Sequence, residues 1–111
     1  MNAPSTVSRD PLYIGIDVGT TSTKGAIVDA SGRLLSVASV PYTVSRPHPG
    51  WAEQDPREYV DASIRVIREL LGAPGIDRAR VAALCSSGQA PTHLLLDAHG
   101  EPVRPAILWQ D

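Results

Sequence analysis

The chain has 111 residues, 42% of them hydrophobic and 20% charged, which bounds it at one domain with a modest core. Its formal net charge is −2, and its ten cations, Lys24 and nine arginines, are scattered, so no basic cluster exists to engage nucleic acid or an anionic membrane. A single cysteine, Cys85, excludes an internal disulfide framework.

The opening stretch, Met1 to Asp10, is polar and reads as a loose tail. It lacks the apolar centre of a signal peptide. No apolar run approaches the roughly 18 residues a bilayer span requires, and a cytoplasmic location is expected. Residues 11–111 carry the folded part. Leu12 to Val18 is short, apolar and β-branched, which predicts a buried strand. A Gly-Thr-Thr-Ser turn follows, then strands over Thr23–Asp29 and Arg33–Val40, joined by the turn Asp29-Ala30-Ser31-Gly32. The opening is therefore an antiparallel meander.

Pro41 to Gln54 is punctuated by Pro47, Pro49 and Gly50 and reads as irregular. A helix should begin at Asp55. Asp55 suits the N-cap, Pro56 the first helical position, and Glu58 completes a capping box. Val60, Ile64, Ile67 and Leu71 recur at helical spacing and are the expected buried face. Gly72 is the expected stop, with Pro74 beyond it. Val81 to Ser86 predicts a buried fourth strand, on which Cys85 is a small core residue. His93–Leu96 and Ala106–Trp109 suggest a closing strand pair around the turn Asp97–Gly100. Three strands, a helix and a further strand make an α/β fold. Gly15-x-x-x-Gly19 has neither the spacing nor the following helix of a dinucleotide fold.

The sharpest local feature is Asp17-Val18-Gly19-Thr20-Thr21-Ser22-Thr23-Lys24. Asp17 ends a strand, where its carboxylate can leave the sheet. Gly19 allows a tight turn and close approach to a ligand. Successive backbone N–H groups in such a turn form an anion-binding concavity, and the hydroxyls add donors. Lys24 adds a positive charge. An acid beside a phosphate cradle can hold Mg²⁺ against phosphate oxygens. A plain hairpin has the same composition.

Ile16-Asp17-Val18-Gly19-Thr20-Thr21-Ser22 resembles the first phosphate motif of the actin, sugar-kinase and heat-shock-chaperone ATPases. Ser45-Arg46-Pro47-His48-Pro49-Gly50-Trp51-Ala52-Glu53-Gln54-Asp55-Pro56 resembles the loop before the first helix of FGGY carbohydrate kinases, xylulokinases above all. Arg104-Pro105-Ala106-Ile107-Leu108-Trp109-Gln110-Asp111 resembles a further segment of that family. The resemblance implies a ribonuclease-H-like (actin/sugar-kinase ATPase) fold, present here as an incomplete N-terminal portion. It implies ATP and Mg²⁺ as cofactors and a small sugar or polyol as substrate. A homodimeric full-length protein is compatible with it. Asp17 would be catalytic and hold the metal. Gly19, Thr20, Thr21, Ser22 and Lys24 would bind nucleotide phosphates. Gln89, Trp109 and Asp111 would fall on the sugar side, with an aromatic face against sugar C–H groups.

After Gly88-Gln89, xylulokinases carry Met-His-Gly and glycerol kinases Arg-Glu-Thr; this chain has Ala90-Pro91-Thr92. Ala and Pro supply no side-chain donors, so neither substrate follows from the resemblance. His93 is out of register. Trp51 is expected to anchor the loop on the helix start, with His48 and His99 solvated. The expectation is a carbohydrate-kinase fragment, inactive alone. A chaperone-like or cytoskeletal ATPase and a non-catalytic pseudokinase remnant are the other readings.

Overall fold

A computed structural model describes residues 10–111; the expected tail over residues 1–9 lies outside the described residues. Strands β1 (Leu12–Val18), β2 (Ser22–Asp29) and β3 (Leu34–Pro41) form the expected meander. β5 (Val81–Gly88) joins β1 in parallel, giving a sheet ordered β3-β2-β1-β5. Helix α1 (Pro56–Gly72) packs over β2 and β3. The two Asp–Gly turns are built as their residues dictate. Asp29 Oδ1 accepts from the Ser31 hydroxyl and N–H and from the Arg33 N–H, which hold its carboxyl below the usual range. Gly32 closes that turn at φ +85°. Asp97 repeats the device with the His99 and Glu101 N–H groups, and Gly100 sits at φ +79°.

β1 alternates: Leu12, Ile14 and Ile16 are buried beneath α1, while Tyr13, Gly15 and Asp17 face the other way. The core is completed by Ile27, Val40, Ala62, Val66 and Leu70. Burying side chains such as Val66 and Leu70 contributes roughly 1.5–3 kcal/mol each.

The expected helix face is wrong. Ala62, Val66 and Leu70 are buried, whereas Val60 is 59% and Ile64 42% exposed, with Ile67 and Leu71 partly buried. The real stripe lies roughly a third of a turn around the axis from the expected one. Gly25 explains the choice. A Cβ there would meet Val66 Cγ1 at 2.5 Å and Leu70 Cδ1 at 3.0 Å, so the bare backbone of β2 is the seat for these two side chains. Gly25→Val should therefore lower stability by about 1–3 kcal/mol, read as a reduced urea midpoint. An unchanged midpoint would show that the helix does not depend on that seat.

Four further expectations are corrected. Gly72 is the last helical residue, not a left-handed stop; Ala73 caps in an extended conformation, and the positive φ falls on Gly75. Asp55 does cap, its Oδ1 accepting from the Arg57 N–H. β5 is an edge strand, exposed from Ala82 to Gly88, so Cys85 is exposed rather than in the core. The region read as irregular contains β4 (Glu53–Gln54), which pairs with β6 (Ala106–Ile107). The expected His93–Leu96 strand is reduced to the isolated bridges His93–Ile107 and Leu96–Pro102.

Candidate active site

β1 and β5 are parallel and end side by side at Val18 and Gly88, with β2 starting at Ser22 beside them. Ligands of open α/β sheets collect at such carboxyl ends. Register places Asp17 opposite Lys24 on one side and Ser87 on the other. All three lie on the sheet face away from α1. The Ser87 hydroxyl donates to Asp17 Oδ1 at 3.2 Å. An open concavity of about 420 Å³ occupies this face, lined by Asp17, Lys24, Gly15, Cys85, Ser86 and Ser87 among others. A Cβ on Gly15 would meet nothing within 4 Å, so that glycine keeps the concavity clear.

The Gly19–Thr21 turn is held from its inner side. Gly19 N–H bonds to the Ser22 carbonyl at 2.9 Å. The Gly19 carbonyl accepts from the Tyr42 hydroxyl at 2.5 Å and from Gln89 Nε2 at 3.3 Å. The Thr20 carbonyl accepts from Gln54 Nε2 at 2.6 Å, and the Thr21 carbonyl from the Tyr42 N–H at 3.0 Å. These peptides are trans. In a planar trans peptide the N–H points opposite to the carbonyl of the same unit. The Gly19 and Thr20 carbonyls, held by Tyr42, Gln89 and Gln54, therefore turn the N–H groups of Thr20 and Thr21 away from that network, as an anion cradle requires, while the Thr21 carbonyl belongs to the β2–β3 ladder and the Ser22 N–H faces back across the hairpin toward Gly19.

The network doing this was not foreseen from the sequence. Gln54, 2% exposed, accepts at Oε1 from the Tyr59 hydroxyl at 2.6 Å and from Gln89 Nε2 at 3.1 Å. Burial pushes the Tyr59 hydroxyl up to about 12, and Tyr42 is also raised, chiefly by burial. Both therefore keep their protons at neutral pH and remain donors. Their rings meet edge to face at 5.6 Å. Gln54 precedes a clear helix cap and lies within the Ser45–Pro56 stretch, and neither signal gave it a role at the turn.

The three stretches singled out in the sequence turn out to be one physical unit. β4 and β6 join the second to the third: Glu53 pairs with Ile107 and Gln54 with Ala106, and the Glu53 carboxylate takes an ion pair from Arg104. Arg46 Nη2 donates to Gln110 Oε1 at 2.7 Å, and the Ala52 N–H to Asp111 Oδ2 at 3.1 Å. Trp109 then reaches the first stretch, its Nε1 donating to Thr20 Oγ1 at 3.0 Å. Thr20 Oγ1 in turn donates to Gln89 Oε1 at 3.1 Å. The sites expected for phosphate and for sugar are thus adjacent. Lys24, Thr21 and Asp111 are exposed at the rim, while Ser22 is buried. Trp51 is 44% exposed and meets His48 edge to face at 4.5 Å. His99 is exposed in its turn, as expected.

Residues 12–111 match the model of the FGGY family of carbohydrate kinases, N-terminal domain. The chain belongs to the FGGY family. It is 40% identical over 100 residues to the xylulose kinase of Escherichia coli K12, covering 90% of this chain and 20% of that protein. It is 37% identical over 103 residues to the glycerol kinase of Petrotoga mobilis, covering 92% and 21%. Among solved structures, a xyloylose kinase from Brucella ovis superposes with a TM-score of 0.86 at 37% identity, covering 90% of this chain and 21% of that one. The chain therefore spans about a fifth of these relatives' length. Its fold is the N-terminal portion of the ribonuclease-H-like fold of actin-like sugar kinases. Membership in the FGGY family sets aside the chaperone and cytoskeletal readings. Among the described residues, no helix is long and apolar enough to cross a membrane.

Proposed function

We propose that the complete protein transfers the γ-phosphoryl group of MgATP to a hydroxyl of a small sugar or polyol. The observation that carries this is the turn whose N–H groups are aimed outward next to the exposed Asp17 carboxylate. Backbone donors at Thr20 and Thr21, with Ser22 closing the turn beside them, would bind phosphate oxygens, Gly19 would let them approach, and Lys24 would add charge. Mg²⁺ is held by one or two carboxylates together with substrate phosphates and water, and Asp17 is the carboxylate for it. When bound, the ion neutralises charge on the transferring group. Trp109 and Asp111 frame the sugar side, and Gln89 stands at its junction with the turn. Use of MgATP and a soluble sugar places the protein in the cytoplasm.

Relatives of similar identity include both xylulose and glycerol kinases, so the substrate must come from the pocket. The Ala90-Pro91 pair, where the family resemblance leads one to expect Met-His or Arg-Glu, offers no side-chain donor. A coupled assay of ADP release across ketopentoses, pentitols, tetritols, hexonates and glycerol should find at least one preferred member other than glycerol. Preference for glycerol would overturn the reading of this loop. Inactivity across the panel with intact nucleotide binding would favour a pseudokinase.

A further inference from the structure

We propose that the Trp109 indole N–H is a positioning group that couples the sugar side of the site to the phosphate turn. The inference rests on the kinase reading above. A continuous path runs from Trp109 Nε1 to Thr20 Oγ1 (3.0 Å), on to Gln89 Oε1 (3.1 Å), and from Gln89 Nε2 to the Gly19 carbonyl (3.3 Å) and Gln54 Oε1 (3.1 Å). Gln54 Nε2 closes the path on the Thr20 carbonyl at 2.6 Å. A residue 89 positions away in sequence thus reaches both carbonyls that orient the turn.

The direction of the path is fixed at both ends. At one end an indole nitrogen can only donate, and at the other the Gly19, Thr20 and Thr43 carbonyls can only accept, so Gln54 and Gln89 both turn their NH₂ groups toward the turn. With Trp109 donating, Thr20 Oγ1 accepts from it and gives its own proton to the Gln89 Oε1 that this orientation presents. Without the indole N–H the Thr20 hydroxyl is free to rotate, and its bond to Gln89 is no longer enforced.

The same ring is 51% exposed, so its bond to Thr20 is open to water. A sugar lying on the ring would exclude that water and immobilise the ring. A hydrogen bond gains strength when its surroundings lose water. Sugar binding therefore firms the path, fixes the outward N–H groups, and tightens the nucleotide. By linkage, nucleotide tightens sugar by the same factor. One hydrogen bond of this kind corresponds to roughly a three- to tenfold effect.

The test uses the complete protein, with MgADP as one probe. The other is whichever of D-xylulose, D-ribulose, xylitol, erythritol, D-gluconate and glycerol is turned over fastest. MgADP affinity is measured with and without saturating sugar. In the wild type, sugar should tighten MgADP roughly three- to tenfold. Trp109→Phe keeps the ring but removes the N–H; the ratio should fall to about one, and kcat should drop by more than the sugar KM changes. Thr20→Ser keeps the hydroxyl and should retain the coupling, while Thr20→Val should lose it. The Thr20 pair decides the matter if Trp109→Phe does not fold. A wild type without coupling, or a Trp109→Phe kinase with wild-type coupling, overturns the proposal while leaving the kinase reading intact. A complete protein that phosphorylates none of the probes overturns the kinase reading and the coupling with it.

Discussion

Asp17→Asn in the complete protein should lower sugar-dependent turnover by on the order of 10² or more while leaving the fold in place. Asp17 ends β1 on the open sheet face, opposite Lys24 and Ser87 in register. Its Oδ1 accepts a hydrogen bond from the Ser87 hydroxyl. An asparagine Oδ1 can accept the same bond, so shape and local bonding survive and only the charge is lost. That charge is what Mg²⁺ requires of the protein here, and a preorganised charge at a transferring phosphoryl group is among the largest single contributions an enzyme makes. The check is kcat at saturating sugar and ATP, with thermal unfolding as the control for folding. Turnover within a few-fold of wild type would remove Asp17 from the chemistry.

The second large effect concerns residues Met1 to Asp111 expressed alone: sugar-dependent ADP release should be undetectable. Phosphoryl transfer requires nucleotide, metal and acceptor hydroxyl held in line, and water kept out. In this chain Asp17 and Lys24 stand at an open concavity, and Thr21 is exposed. Trp109, on the sugar side, is half exposed. The sheet also presents uncovered apolar surface: Leu84 on β5 is 50% exposed, and Val60 and Ile64 project from α1. Such surface should bind ANS and broaden the unfolding transition. Turnover of ATP with any sugar by these 111 residues would contradict this placement of the catalytic machinery.

Much of this was legible because it is local. The β1–β2–β3 meander follows from β-branched runs separated by the Gly19-Thr20-Thr21 turn and the Asp29–Gly32 turn, and the latter forms the bonds its aspartate predicts, as does the later Asp97 turn. The Asp55 cap is equally local. What sequence could not supply was long-range pairing. Glu53 and Gln54 were read as part of an irregular stretch because their partners, Ile107 and Ala106, lie over 50 residues away. Their burial follows from that pairing. The helix face failed for a related reason. α1 carries apolar residues around much of its circumference, and the sheet chose among them. Gly25 admitted Val66 and Leu70, and the small Ala62 followed, leaving the larger Val60 and Ile64 outside. Cys85 was misjudged because an apolar run looks the same at the centre and at the edge of a sheet. The phosphate turn was visible as a motif. The reason its N–H groups point outward was not, since that reason sits in Tyr42, Gln54 and Gln89.

The most direct test of phosphoryl transfer at this turn is ³¹P NMR of the complete protein with MgATP and its preferred sugar. The γ-phosphate resonance of ATP should disappear as a sugar phosphomonoester resonance grows in equal amount, with ADP as the only nucleotide product. In Asp17→Asn the same conversion should slow by on the order of 10² or more. Release of inorganic phosphate without a sugar phosphate, or an unchanged ATP spectrum with every sugar of the panel, would contradict it.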